Sequence, residues 1–518
     1  MKLSPLFKEI LPYLILTTFG FLLYYQTLFF DFVYLDDNRL IIDNFNILRE
    51  ASIFKIFSSD VFLGGEASGF YYRPLLNISF LVDGWLAKTL PFFFHFTNLF
   101  LHLLSVILVF FVFKKHFFSL KTALFLSLVF LTHPVLSQAV AWIPGRNDSL
   151  LTVFVLASFA LFLSFLKKDK LVYLWWHLFF LTAALFTKET AIFLPIICVA
   201  YYFLFDHKFS TSRLKDNILI ILAGWLSVAV VWYLFRKISL PANNPLADMF
   251  LAGWHNLSVL IVYLGKIVLP FNLAVYPTVK DSIYWLGIFG AILLAATIYV
   301  RPKINWRRLS FASLWFMIFL LPTLLNADPS LEHRLYLPMI GFLLALGEVY
   351  PLKSLQWSSK KSHITSLFIV FVLASLTFYH SQFFKNRMSF WREAVINSPH
   401  SAFVNNNLGA MYQLDDDLDA AKHYYTRALE LDDKQALVHN NLGLIAVSQN
   451  NYNEAEQEYF KEIKINPYYD NVWVNLGILY IKQARTLEAE RAFLQAYQLN
   501  YNNKQAYDNL LILSSKVE

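Results

Sequence analysis

The chain has 518 residues, of which 57% are hydrophobic and 15% charged, and its mean hydropathy is +0.48. These values exclude a protein that is soluble throughout and favour a membrane protein with room for two or more domains. The net charge of +7 divides unevenly, because the residues from Trp391 onward carry 11 Lys and Arg against 17 Asp and Glu. We therefore expect a basic membrane part and an acidic soluble part. No basic stripe interleaved with aromatics is present, so we expect no nucleic-acid partner.

Eleven apolar segments are candidates to cross about 30 Å of hydrocarbon as helices. They lie near 11–30, 92–113, 120–139, 148–166, 171–187, 189–205, 216–235, 283–300, 309–326, 335–350 and 363–380. The stretch 70–90 is also apolar, and 254–270 has the spacing of an amphipathic helix in the membrane interface. Lys2 and Lys8 precede the first segment and no small-residue cleavage site follows it, which favours a retained span. The sequence therefore predicts an all-α, polytopic membrane bundle of about eleven spans.

Clusters of Lys and Arg follow several apolar segments, and such clusters mark the cytoplasmic side of a membrane protein. They lie at 114–121, 167–170, 207–215, 301–308 and 353–361. This orientation places four polar stretches together on the extracytoplasmic side, at 31–92, 133–148, 188–189 and 328–334. Arg236 and Lys237 would lie on that side too, against the trend. We take residues 1–390 as the membrane domain.

A repeat of 34 residues fills the remainder, 391–518. Leu-Gly recurs at 408–409, 442–443 and 476–477, and a degenerate fourth unit begins near Gln505. The period is that of the tetratricopeptide repeat (TPR), whose helix pairs stack into a solenoid. The last span exits outward, so this domain is expected on the extracytoplasmic side.

An asparagine recurs at the same position of each unit, on its first helix. An amide both donates and accepts hydrogen bonds, so a row of amides could hold the backbone of an extended acceptor peptide. The structural alternative is packing between helices. The candidate groove residues are Asn407, Asn441, Asn475 and Asn509.

Asp36 and Asp37 follow the first apolar segment, in FVYLDDN at 32–38. Carboxylates at the edge of a bilayer are costly and often functional. In an inverting sugar transfer, one carboxylate takes the proton of the acceptor hydroxyl as the anomeric carbon is attacked. Adjacent side chains point in different directions, so we expect one general base and one supporting group, which could orient the base or help to bind a divalent cation. The alternative is a solvated loop or a helix cap.

Basic residues of the predicted outward stretches could bind the phosphate of a lipid-linked donor. Arg146 has a structural alternative as an interfacial anchor, and His133 has one as the partner of a loop carbonyl. The candidate donor-phosphate residues are Arg73, His133, Arg146, Lys188 and Arg334.

Three carboxylates accompany these cations as supporting residues. Asp148 could instead cap a helix, and Glu189 could form a self-neutralising turn with Lys188. The arginines of the outer loops could reach to the interface merely as anchors. The supporting candidates are Asp148, Glu189 and Glu332.

Several motifs of other enzyme classes are absent from the sequence. It contains no phosphate-binding Gly loop, no Cys/His metal spacing and no Gly-x-Ser-x-Gly. A nucleotide-sugar enzyme or a hydrolase of those types is therefore unsupported. No cofactor is required by any motif, and a divalent cation at the aspartates stays open.

Five motifs in order, FVYLDDN, YYRPL, HPVLSQAVAWIPGRND, FTKETAI and EHRLYLPMIGF, precede the repeats. This combination resembles the transmembrane-and-TPR family of O-mannosyltransferase-like proteins, which are GT-C glycosyltransferases. The resemblance implies a polyprenyl- or dolichyl-phosphate-linked hexose donor, usually mannose, and a Ser/Thr hydroxyl of a protein as acceptor. By position it makes Asp36 the acidic catalytic residue and Asp37 its neighbour. One departure is Ser137-Gln138, where such proteins commonly have Thr-Glu.

Two alternatives remain beside a lipid-phosphate-dependent glycosyltransferase. An O-antigen-ligase-like enzyme would use a lipid diphosphate donor and a large late loop, whereas the charged residues here are richer in the first loop. A non-catalytic, membrane-anchored TPR scaffold would not need outward carboxylates and arginines. The single cysteine and the lack of a eukaryotic retention tail make a bacterial plasma membrane the expected location.

Overall fold

The computed structural model describes residues 4–43, 49–50, 52–63, 71–206, 211–240, 253–254, 256–299, 304–325, 331–348 and 359–515. Predicted features at 301–303, 328–330 and 353 lie outside the described residues. The chain divides into two compact units, Met1–Phe390 and Trp391–Glu518. Every regular element of the described residues is helical, which confirms the all-α fold class.

The membrane unit is a bundle of helices joined by short turns. The helices are α1 (Pro5–Tyr24), α2 (Ile53–Phe57), α3 (Pro74–Ala87), α4 (Pro91–Val112), α5 (Leu120–Thr132), α6 (Gln138–Ala141), α7 (Arg146–Lys168), α8 (Leu171–Thr187), α9 (Leu194–Tyr201), α10 (Thr211–Ser239), α11 (Val259–Val268), α12 (Tyr284–Tyr299), α13 (Trp306–Leu320), α14 (Pro338–Leu346) and α15 (Lys360–Ser381). Helix α16 (Arg387–Asn397) leads into the second unit.

The helix ends follow from local sequence. Ser4 precedes Pro5 and accepts a hydrogen bond from the Phe7 amide, as expected for a polar N-cap followed by proline at the first helical position. Lys167 and Lys168 lie in the last turn of α7, where cations interact favourably with the helix dipole. These signals fix where the helices begin and end.

Aromatic side chains form much of the core of the membrane unit. Phe159 stacks on Phe311 with ring centroids 6.1 Å apart and meets Trp315 edge-on at 5.4 Å. Large apolar residues such as Leu219 and Ile238 on α10 are exposed instead. Such exposure is unfavourable in water and is typical of a surface that contacts lipid.

The predicted count of eleven spans is not confirmed. Among the described residues, six helices are long and apolar enough to cross a membrane, or seven if α5 and the bent segment after it count as one. Five further apolar helices are shorter, at 74–86, 171–187, 189–205, 256–268 and 284–297. Hydropathy cannot separate a short or broken helix from a complete span.

The helix predicted at 254–270 is shorter in the structure, where α11 has one exposed and one buried face. Helix α11 is too short to span, since its ten residues cover about 15 Å. Of the predicted apolar stripe, Ile261 is exposed and Ile267 is buried, and the buried face of α11 also carries Lys266. A Cβ atom on Gly265 would lie 2.7 Å from the backbone nitrogen of Gly287, so α11 and α12 pack closely. The helix therefore brings a charged residue into the bundle.

The second unit consists of helix pairs in the predicted 34-residue register. They are α17 (Ala402–Leu414) with α18 (Leu418–Leu431), α19 (Val438–Ser448) with α20 (Tyr452–Ile465), and α21 (Asp470–Lys482) with α22 (Thr486–Leu499), followed by α23 (Lys504–Ser514). The glycine of each Leu-Gly faces the aromatic residue of its partner helix. A Cβ atom on Gly477 would lie 2.6 Å from Cε1 of Phe493. The recurring glycine is therefore required by close helix packing.

Candidate active site

The two aspartates after α1 have different surroundings. Asp37 is 1% exposed, and its carboxylate accepts hydrogen bonds from the backbone amides of Val33 and Tyr34 and, at 2.9 Å, from Nε1 of Trp142. Tyr34 has a φ of 61°, so the loop turns sharply onto this carboxylate. Asp36 is partly exposed and lines a cavity. Asp37 thus holds the loop, and Asp36 is the one that a ligand can reach.

Both carboxyl groups are displaced toward the protonated form. Burial raises the pKa of Asp36, although the positive charges of Arg39 and Arg73 oppose the shift. Burial raises the pKa of Asp37 to about 7 from an ordinary value of 3.8, against its hydrogen bonds from Val33 and Trp142. A carboxylate with a raised pKa is a stronger base, which suits proton abstraction near neutral pH.

The cavity has a volume of about 200 Å³ and is compact enough to favour a small ligand over a long oligosaccharide. Its wall combines apolar side chains such as Leu76 and Phe319 with charged or titratable ones from four separate stretches of the chain. The latter are Asp36, Arg73, Asp148, Lys188, Glu189, His333 and Arg334. The structure therefore brings together six of the sequence-predicted residues and adds His333.

Two of the cavity's cations already contact carboxylates. Nζ of Lys188 lies 2.7 Å from Oδ1 of Asp148, and a guanidinium nitrogen of Arg73 lies 3.5 Å from Oε1 of Glu189. Burial lowers the pKa of Lys188, with Asp148 opposing the shift. Burial raises the pKa of Glu189, but the charges of Arg73 and Lys188 outweigh it, and the pKa lies below its ordinary value. The site is a set of paired charges rather than a bare cationic patch.

Arg146 does not line the cavity, in contrast to its predicted contact with phosphate. Its side chain is fully buried, with Nε 2.7 Å from Oδ1 of Asn98 and Nη2 2.7 Å from the carbonyl oxygen of Phe94. It also forms an ion pair with the buried Asp83. Because these partners surround the guanidinium, the structure assigns Arg146 to the junction of α3, α4 and α7 instead.

His133 and Glu332 also lie outside the cavity wall. Nε2 of His133 lies 3.0 Å from the carbonyl oxygen of Ile267, which matches the structural alternative for this residue. Oε1 of Glu332 accepts hydrogen bonds from Nζ of Lys266 at 2.6 Å and from the amide of Ala274 at 2.9 Å. These two residues join α11 to the polar turns that carry the site.

Four residues in or near the site, Asp83, Trp142, Lys266 and His333, were not among the candidates predicted from the sequence. Asp83 had a usable signal, since a carboxylate inside the apolar stretch 70–90 requires a partner. His333 stands between two selected residues in Glu332-His333-Arg334. Nothing local identified Lys266, because its partner is 66 residues away.

The two amide atoms of Gln138 have opposite hydrogen-bonding roles. Nε2 donates to the carbonyl oxygen of Val275 at 3.1 Å, and Oε1 accepts from the backbone amide of His333 at 3.0 Å. The side chain is fully buried and does not line the cavity. The amide joins two loops, and a glutamate at this position could not make the first bond.

Gln138→Glu is expected to lower the free energy of unfolding by about 1–3 kcal/mol or more. The substitution would place a buried carboxylate oxygen against the carbonyl oxygen of Val275, where the amide now donates a hydrogen bond. Thermal unfolding of the detergent-purified protein measures the loss. Gln505→Glu adds the same charge at an exposed position and should leave the melting temperature unchanged. Equal melting of Gln138→Glu and the wild type would contradict the role given to Gln138.

A second, apolar cleft of about 600 Å³ adjoins the cavity. The two share Glu189, Thr190 and Pro322 as lining residues. The cleft is otherwise formed mainly by Trp232, Trp254, Leu321 and neighbouring apolar side chains. A charged cavity and an apolar cleft therefore meet at one wall.

The asparagines of the repeats are engaged with the protein itself. Nδ2 of Asn441 and Nδ2 of Asn475 each donate to an asparagine of the preceding repeat, at 3.3 and 2.8 Å. Asn407 and Asn509 donate to carbonyls of their own helices, at 2.7 and 2.8 Å. Oδ1 of Asn441 also accepts from Nδ2 of Asn440 at 3.4 Å. These contacts match the structural alternative, packing between and within helices.

In the part of the chain that the structure describes, no three His, Cys, Asp or Glu side chains lie close enough together to hold a metal ion.

Comparison with known proteins gives two family matches. Residues 92–235 match the family described as dolichyl-phosphate-mannose-protein mannosyltransferase, and 404–435 and 470–503 match the tetratricopeptide repeat. The first covers α4 to α10, including Lys188 and Asp148. These matches confirm the resemblance drawn from the sequence motifs.

Three relatives of this chain are named protein O-mannosyl-transferases. Protein O-mannosyl-transferase F38B6.6 of Caenorhabditis elegans is 25% identical over 442 residues, covering 81% of this chain and 62% of the relative. Protein O-mannosyl-transferase TMTC3 of Homo sapiens is 29% identical over 34% of this chain and 20% of the relative. TMTC1 of Homo sapiens is 30% identical over 38% and 23%. The chain therefore spans less than two thirds of each relative's length.

Proposed function

We propose that this chain, a relative of the protein O-mannosyl-transferases, is a membrane glycosyltransferase that moves a hexose from a lipid-phosphate carrier to a Ser or Thr hydroxyl of a protein. Mannose is the sugar named in its relatives, and we propose it here as the first donor to test. The observation that carries the proposal is the shared wall between the charged cavity and the apolar cleft. The cavity suits a sugar phosphate, and the cleft suits the polyprenyl or dolichyl chain to which it is attached.

Asp36 is the proposed general base. It would take the proton of the acceptor hydroxyl while that oxygen attacks the anomeric carbon from the face opposite the phosphate, which inverts the configuration. The bond between the anomeric carbon and the phosphate oxygen breaks, and the lipid phosphate leaves with the electron pair. Arg334, Lys188 and Arg73 line the same cavity and would stabilise the charge that develops on the phosphate.

The acceptor is proposed to be a protein segment that the repeats recruit. TPR solenoids present extended binding surfaces, which supports a protein partner without naming it. The basic clusters 114–121 and 167–170 favour a cytoplasmic position for the ends of α4 and α7. We accordingly propose that Asp36 and the repeats act on the extracytoplasmic side of the membrane, and the bacterial plasma membrane stays a prediction.

The test is transfer by the purified full chain in liposomes. Polyprenyl-phosphate mannose and polyprenyl-diphosphate mannose are supplied separately with Ser/Thr-containing peptides, and hexose on the peptides is read by mass spectrometry. We expect transfer from the monophosphate donor. Transfer from the diphosphate donor alone would favour the O-antigen-ligase-like alternative. Binding of peptides without transfer from either donor would favour a scaffold.

Transfer is expected to rise with pH above the ordinary aspartate pKa of 3.8, because a base must be unprotonated and burial raises the pKa of Asp36. A rate that follows an unshifted pKa of 3.8, or that does not depend on pH, would contradict the assignment.

The stabilising contribution of Asp37 to the folded state should fall as the pH rises, in contrast to the transfer rate. The folded-state pKa of Asp37 is raised, so its stabilising contribution is complete below 3.8 and declines as the pH rises through about 7. Unfolding from this group therefore cannot explain a low rate in acid, and returning the sample to high pH should restore the rate.

A further inference from the structure

Three side-chain polar atoms of cavity-lining residues have no hydrogen-bond partner among the described residues. They are Nε of Arg73, Oδ2 of Asp148 and Nδ1 of His333. Asp148 and His333 are more than nine-tenths buried, with exposures of 3% and 5%. A buried polar group without a partner costs about 1–3 kcal/mol, so Oδ2 of Asp148 beside the cavity indicates a ligand that completes its bonding. The nitrogen of His333 that lies near this oxygen is Nε2, not Nδ1.

The separation of the two side chains fits one hydroxyl group. Nε2 of His333 lies 3.9 Å from Oδ2 of Asp148, which is too far for a direct hydrogen bond. A hydroxyl oxygen at about 2.8 Å from each atom would bridge this gap. The hydroxyl would donate a hydrogen bond to the carboxylate and accept one from the N–H of the imidazole, since a hydroxyl group can do both.

Other residues hold the two side chains in place. Oδ1 of Asp148 accepts from Nζ of Lys188 at 2.7 Å, so the other carboxylate oxygen is left for a ligand. The backbone amide of His333 is bound by Gln138, and its ring lies 5.3 Å from that of Trp142. The pair is therefore fixed before a ligand arrives, which reduces the entropic cost of binding.

We propose that Asp148 and His333 bind one hydroxyl group of the donor hexose and thereby contribute to the choice of sugar. This inference rests on the proposed transferase function. The donor is favoured over the acceptor because Asp148 contacts Lys188, a proposed phosphate ligand, and the sugar is joined directly to the phosphate.

The protonation state of the histidine is consistent with this role. Burial, with added repulsion from Lys188, Arg334 and Arg73, lowers the pKa of His333 well below its ordinary value. The imidazole is then neutral near pH 7, with one nitrogen that donates and one that accepts. A neutral ring of this kind suits a hydroxyl group as its ligand. A phosphate would be bound better by a cation.

The test compares donors that lack single hydroxyl groups. Polyprenyl-phosphate mannose and its 2-, 3-, 4- and 6-deoxy analogues are assayed with the full chain in liposomes, and kcat/KM is measured for each. We expect one deoxy donor to lose about 10- to 100-fold in kcat/KM in the wild type, because it leaves buried polar groups unpaired. In His333→Phe that loss should shrink to within about threefold, while His333→Gln should retain part of it.

His380→Phe is the matched control. His380 is a buried histidine that bonds Ser137 and does not line the cavity, so this variant should reduce all donors equally. Equal use of all donors by the wild type, or an unchanged donor ratio in His333→Phe, would overturn the inference. A change confined to the KM of the acceptor peptide would assign the pair to the acceptor instead and would also overturn it. Absence of transfer from every donor, mannose included, would contradict the proposed function first.

Discussion

Asp36→Asn is expected to abolish sugar transfer while the protein still inserts and accumulates. Asparagine keeps the size and polarity of the side chain but cannot take a proton from the acceptor hydroxyl. Loss of a general base typically reduces the rate by about 10²- to 10⁴-fold. The measurement is hexose transfer to a Ser/Thr peptide from polyprenyl-phosphate mannose in liposomes, at equal amounts of folded protein.

Asp31→Asn is the matched control for this variant. Asp31 lies in the same loop, is exposed, and does not line the cavity, so its replacement should leave the rate within about twofold if the base is Asp36. Full activity of Asp36→Asn would remove the assignment of the base. Equal loss in both variants would show that the loop is sensitive to any change, and the catalytic role would then lose its support.

Asp37 should respond differently from Asp36. Its carboxylate accepts from two backbone amides through one oxygen and from Trp142 through the other. An asparagine there would turn an NH₂ group toward a donor, which misplaces the loop instead of removing a base. Activity alone cannot separate the two aspartates, whereas melting temperature can.

Lys266→Met is expected to produce the largest loss of stability, about 3–5 kcal/mol, because it leaves the carboxylate of Glu332 buried without its counter-ion. The two side chains are 3% and 0% exposed. The turn Glu332–Leu335 carries His333 and Arg334 into the cavity, so transfer should fall as well. Thermal unfolding in detergent, with transfer measured at the same temperature, tests both effects.

The double variant Lys266→Met with Glu332→Gln separates charge from packing. Glutamine is neutral and can still accept the amide of Ala274, so most of the lost stability should return. Arg427→Met breaks an exposed pair with Glu430 and should cost no more than about 1 kcal/mol. If Lys266→Met alone were as stable as the wild type, the buried pair of Lys266 and Glu332 would not hold the turn.

The charge balance of the cavity bears on how a lipid phosphate is held. Arg73 and Lys188 already contact Glu189 and Asp148, so the phosphate of the proposed donor would add to these pairs and would not enter an unneutralised site. Pairing also fixes the cations in place, which favours stabilisation of charge that develops during the reaction. Arg334 lines the same cavity and completes the set.

The apolar cleft bears on how the lipid part of the proposed donor would be held. It shares a wall with the cavity and is lined mainly by tryptophan, leucine and phenylalanine side chains. A polyprenyl chain in the cleft would keep its phosphate at the wall that carries Glu189 and Thr190. Binding energy from the chain could thus position the reacting sugar phosphate.

The sequence by itself determined the class of the protein and the order of its parts. The apolar segments, the 34-residue register and the acidic stretch after α1 are local patterns, since hydropathy and helical spacing depend on neighbouring residues. The glycine of each Leu-Gly and an aromatic residue 16 positions later recur with the same 34-residue period. In the structure the two residues of each pair are in contact, as for Gly409 and Tyr425. These features needed no knowledge of distant contacts.

Only the tertiary structure decided which charged residues meet. Arg146 binds Asp83, His133 binds the Ile267 carbonyl, and Lys266 binds Glu332, whereas Lys188 and Asp148 reach the cavity together. The partners stand 40 to 134 residues apart in the chain, so no local pattern specifies them. A buried charge takes whichever opposite charge the packing brings near, because leaving it unpaired costs several kcal/mol. The fold therefore sets the chemistry that each outward residue can perform.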